Sequence, residues 1–92
     1  VEDVYEITGE FNIVEAVVPK RFIGKTLAEL DLRNKYNLNV LTTMKIVEQS
    51  NSIGIGKKTK QVQDMASAKT ILQEGDVIVI YGKLKDIQSA LK

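Results

Sequence analysis

The sequence predicts an α+β fold, a small sheet of three to five strands with helices packed on one face, from three features. Residues 11–18 (Phe-Asn-Ile-Val-Glu-Ala-Val-Val) and 76–81 (Asp-Val-Ile-Val-Ile-Tyr) are β-branched and apolar on both alternations, as in buried strands. Between them, Thr26 and Glu29 stand at the spacing of a capping box, in which side chain and backbone at a helix start satisfy each other. Near the end, Leu84, Ile87 and Leu91 recur at i, i+3 and i+7 and give a helix one apolar stripe. The implied order is β-α-β-(β)-β-α.

Residues 1–10 mix acids with small apolar groups and read as a connector from an upstream segment. The first strand, 11–18, stops at Pro19, which has no N–H for a ladder. The segment 26–36 carries two helix starts, Thr26 and then Asp31 just before Leu32. Helices restarted so soon must be two short turns meeting at an angle. Such a kinked unit presents one side chain, Arg33, at the edge of the domain. Asn37 suits a left-handed helix end.

Residues 38–47 form the next strand. Leu38, Val40, Thr42, Met44 and Ile46 fall on its drier face, and Asn39, Leu41, Thr43, Lys45 and Val47 on the other. Residues 48–65 read as a polar insertion with a hairpin tip and weak strands near 52–55 and 60–64. Gly75-Asp76 punctuates the chain before the strand 76–81. Gly82 turns it into a last helix over about 83–91.

Composition narrows the function. Ninety-two residues make one domain. The hydrophobic share of 43% and the charged share of 27% belong to an ordinary globular chain. A net charge of +1 supplies no field to recruit nucleic acid or a membrane surface. The apolar runs are far shorter than the roughly 20 residues of a membrane span. Without cysteine there is no disulfide framework, and secretion gains no support. Without cysteine or histidine, the usual bases, thiol nucleophiles and soft metal ligands are missing, so the chain reads as non-enzymatic with no cofactor. The chain begins at Val1 rather than Met and reads as part of a longer protein.

Gly54-Ile55-Gly56-Lys57-Lys58-Thr59 is the one run resembling a phosphate loop. It departs from the G-x-x-x-x-G-K-[ST] spacing, because position 51 is Asn and position 58 is Lys. A solvated turn explains it better. Arg33 has the stronger case as a site residue, since a guanidinium can fork onto a phosphate with two charge-assisted bonds. The competing explanation is a surface arginine paired with Asp31 or Glu29. Asn39 divides in the same way between capping a neighbouring turn and reading a ligand's polar edge. Leu27, Val40 and Leu41 read as core or interface.

The runs FIGKTLAELDLRNKYNLNVL and ILQEGDVIVIYG resemble the RCK_C, or TrkA_C, domain, over residues 11–46 and 70–91. This is the C-terminal regulatory domain of bacterial potassium channel and transporter subunits. The resemblance implies an RCK_C-like domain over 11–92. It also implies a homodimer at the cytoplasmic face that transmits ligand occupancy to a membrane channel or transporter subunit, without nucleic-acid binding or membrane insertion of its own. Several members bind cyclic di-AMP between two subunits. Carried over, the phosphate role falls on Arg33. The flanking roles fall on Leu27, Ala28, Asn39, Val40 and Leu41, with Asp31 nearby. The chain departs from the family pattern in a longer linker before the last strand, and in Ala66-Ser67-Ala68 where the family often has Pro-Asp-Pro. The alternative is a purely structural dimerisation domain with no small molecule.

Overall fold

The computed structural model describes residues 3–7, 9–50, 53–54 and 56–92, with the side chain of Gln49 outside that description. They form an α+β domain around one five-stranded antiparallel sheet. In chain order come β1 (Asp3–Glu6), β2 (Phe11–Val17), a 3-10 turn (Lys20–Phe22), α1 (Leu27–Leu30), α2 (Leu32–Tyr36), β3 (Asn39–Ser50), β4 (Gly56–Met65), β5 (Val77–Lys83) and α3 (Leu84–Leu91). In space the strands run β1-β2-β5-β3-β4. The expected connector is therefore in part a strand: Asp3–Glu6 pairs along β2 as one edge of the sheet.

β5 lies at the centre because it is apolar on both faces. Ile78 and Ile80 point to one side and pair with Ala16 and Val14 of β2. Val14, Ile78 and Ile80 are fully buried there under Leu30, Leu32, Ile87 and Ala90 of the helices. Gly82 in β5 leaves room for Leu38, since a Cβ would come within 2.6 Å of Leu38 Cδ2 and displace that side chain. In α3, Ile87 and Ala90 carry the burial, whereas Leu84 stays partly exposed. The Arg21 guanidinium lies over the Phe22 ring and donates to the carbonyls of Ala90 and Lys92, which satisfies the end of α3.

β3 departs from the simple alternation. Val40 pairs with Ile80 but Thr42 with Val79, so Leu41 is an extra residue, a β-bulge. A bulge reverses which side chains face which way. Val40 shares the helix-covered side with Thr43, while Thr42, Met44 and Ile46 lie on the opposite side. The expected single dry face of 38–46 is corrected accordingly: Thr43 is 3% exposed and Ile46 is 43% exposed.

The expected hairpin in the insertion is present and longer than expected, with β3 paired to β4 from Ser50↔Gly56 to Thr42↔Met65 and the strand expected at 60–64 inside β4. The weak strand anticipated at 52–55 falls at residues 52 and 55 outside the described residues. Almost every residue of β4 is exposed. The hairpin nevertheless curls over the uncovered side of the sheet. Lys60 reaches Glu15 of β2 at 2.8 Å and Asp3 of β1 at 3.3 Å, and Val77 beneath is fully buried. Gly56–Thr59 runs as strand rather than as a loop entering a helix, so it lacks the context of a phosphate loop.

Candidate functional site

The site is built on the junction between α1 and α2. Thr26 caps α1 as its sequence implies: Glu29 N–H donates to Thr26 Oγ1 at 3.1 Å, and Thr26 N–H donates to Glu29 Oε1 at 3.0 Å. Asp31 then ends α1 and starts α2 in the left-handed region, with φ 48° and ψ 44°. Asp and Asn tolerate that region better than most residues. Its carboxylate does not cap the α2 backbone, as the sequence suggested, but accepts from Asn34 Nδ2 at 2.9 Å. Asn37 ends α2 with φ 57°, which turns the chain straight into β3. The kink leaves Arg33 exposed on the outer side of α2, while Leu32 beside it is buried.

A hollow of about 280 Å³ opens at this junction. Leu27, Ala28 and Asp31 form one side, and Leu32 and Arg33 lie next to them. Leu38, Asn39 and Val40 form the floor, and Ala66, Ser67 and Ala68 the far wall. Six of the seven residues singled out from sequence, Arg33, Asn39, Leu27, Ala28, Asp31 and Val40, thus come together. Leu41 does not line the hollow; it occupies the bulge, half-exposed, and its carbonyl accepts from Ala66 N–H at 3.1 Å. Sequence reasoning did not include Ala66–Ala68 among the site residues. The only signal was their departure from the family's Pro-Asp-Pro.

The electrostatics single out one group. Leu27 and Ala28 N–H, which would otherwise face the hollow from the start of α1, donate to the carbonyls of Thr70 and Ala68 at 3.0 Å each. The two carboxylates nearest Arg33 in sequence are engaged elsewhere, Asp31 with Asn34 and Glu29 with Thr26. Among the described residues, no hydrogen bond or ion pair involves the Arg33 guanidinium, nor the Asn39 amide. The hollow therefore offers a guanidinium with no ion pair, a free amide and apolar side chains, with the Asp31 carboxylate beside them. This suits a planar ligand carrying an anionic oxygen. No group of three or more acidic side chains able to hold a metal occurs among the described residues, and none of their helices is long and apolar enough to cross a membrane.

Glu29 has a consequence that can be measured. The bonds from Thr26 N–H and then from the Thr26 hydroxyl hold its carboxyl below the ordinary value of 4.5. A carboxyl depressed in the folded state stabilises the fold above its unfolded pKa, and that contribution is lost as pH falls through the lower folded value. Glu29→Gln is expected to flatten the fall in Tm between about pH 5 and about pH 3. Melting profiles of the two proteins that superimpose over that range would refute this.

The chain belongs to the TrkA-C domain family, whose family model matches residues 13–92. Over 85 residues it is 29% identical to the Ktr system potassium uptake protein C of Bacillus subtilis (strain 168). That alignment takes in 92% of this chain and 33% of the relative, so the chain spans about a third of the relative's length.

Proposed function

We propose that this chain is a non-enzymatic regulatory domain of a potassium transport system, and that it binds cyclic di-AMP in a cleft closed by a second copy of itself. The observation that carries the reading is the unpaired Arg33 guanidinium over an apolar hollow, in a chain of the TrkA-C family. The similarity to a protein named for potassium uptake supports the transport setting, with a membrane transporter subunit as partner and the cytoplasmic face as its place of action.

Size supports the second copy. A hollow of about 280 Å³ lies below the roughly 300–1,000 Å³ of sites that enclose a drug-sized ligand. A cyclic dinucleotide has two phosphates and two bases, whereas the described lining of one hollow brings one cation, Arg33. Two chains about a two-fold axis would match that symmetry with two copies of Arg33. Calorimetric titration of the chain with cyclic di-AMP tests this. The expected stoichiometry is one ligand per two chains, with sedimentation showing a dimer. No heat at high micromolar ligand, with the dimer retained, would leave a purely structural dimerisation domain.

A further inference from the structure

The far wall of the hollow, Ala66–Ala68, is neither helix nor strand, yet the shape of the hollow depends on where it stands. We propose that Thr70 is the positioning residue that holds this wall against α1 and so sets the width of the hollow for its ligand; this rests on the cyclic di-AMP reading above.

Thr70 grips both sides at once. Its Oγ1 accepts from Ser67 N–H at 2.9 Å, and its own N–H donates to the Ser67 carbonyl at 3.1 Å, which closes the wall into a tight turn. Its carbonyl accepts from Leu27 N–H at 3.0 Å and ties that turn to the start of α1. Ala68 adds a parallel tie to Ala28. At its other end the wall is fixed by Ala66 N–H to the carbonyl of Leu41 in the bulge. The wall is thus strung between two anchors on opposite sides of the hollow. The backbone bonds are open to almost any residue, whereas the bond to Ser67 N–H needs a hydroxyl. Ser67 is exposed, so when that acceptor is removed its N–H turns to water at little cost to folding. What is lost is the definition of the turn, and with it preorganisation of the wall.

Thr70→Val keeps the shape and removes the hydroxyl; Thr70→Ser keeps the hydroxyl. Calorimetry with cyclic di-AMP is expected to show Thr70→Val binding about fivefold to tenfold more weakly at nearly unchanged Tm, with Thr70→Ser close to wild type. Amide exchange on the free protein is expected to quicken at Leu27, Ala28 and Ser67 in Thr70→Val and not in Thr70→Ser. Wild-type affinity in Thr70→Val, or failure of Thr70→Ser to restore it, overturns the proposal. An absence of heat from wild type overturns the ligand reading instead. Exchange then decides alone whether Thr70 holds the wall, and unchanged rates at Leu27 and Ala28 reject it.

Discussion

Replacing Arg33 with alanine is expected to weaken cyclic di-AMP binding at least about 100-fold. A hydrogen bond to a charged group contributes about 1.5–3 kcal/mol, and a two-fold site loses two such groups. About 1.4 kcal/mol is a factor of ten in affinity, so the combined loss exceeds two orders of magnitude. Arg33→Lys should recover only part, because an ammonium cannot fork onto a phosphate. Folding should be unaffected in both variants, since the guanidinium is exposed and bonds to no described residue. Calorimetry on wild type and the two variants measures this directly. Binding that survives Arg33→Ala would move the anion site elsewhere, with Lys57, Lys58 and Lys60 of the hairpin the next cations to examine.

The largest effect on stability is expected at Ile80. It is fully buried in the central strand, between Val14 of β2 and Val40 of β3. Truncating a buried isoleucine to alanine costs about 2–5 kcal/mol through lost burial and the cavity left behind. In a domain of this size, 1 kcal/mol moves Tm by about 4–8 °C, so Ile80→Ala should melt at least about 8 °C below wild type. Lys58→Ala, on the exposed β4, should stay within about 0.5 kcal/mol of wild type. Thermal melts followed by circular dichroism compare the three. A loss of under about 3 °C at Ile80 would mean that the layer between sheet and helices is not the core of the domain.

The layer around Ile80 was legible in the sequence because its signals are local. The β-branched runs, the capping box at Thr26 and Glu29, and the left-handed turn at Asn37 are each written within a few residues. The same locality placed Arg33 at the edge of the kink, whereas Leu27, Ala28 and Asp31 joined it as site residues only through the resemblance to the family's motif. What escaped depends on distant partners. Asp3–Glu6 becomes strand only by pairing along β2. The bulge at Leu41 shows in no hydrophobic pattern and reverses the faces of everything after it. Ala66–Ala68 becomes a wall of the hollow only because Thr70 and Leu72 hydrogen-bond back to the chain around α1. Leu72 itself is fully buried in a stretch that read as mixed and short-ranged.

The contact of Lys60 with both Glu15 and Asp3 joins the two extremes of the strand order, β4 to β1 and β2. In a closed barrel that seam would be a ladder of backbone hydrogen bonds. Among the described residues the ion pairs here are those of one ammonium between two carboxylates, each group open to water to some degree, and such pairs contribute about 0–1 kcal/mol and are screened by salt. The domain therefore has two faces of unequal temper. The helix-covered side is held by burial, which salt scarcely loosens. On the hairpin side the burial of Val77 and Met44 is joined by a charge-built clasp whose grip slackens as the surrounding electrolyte rises.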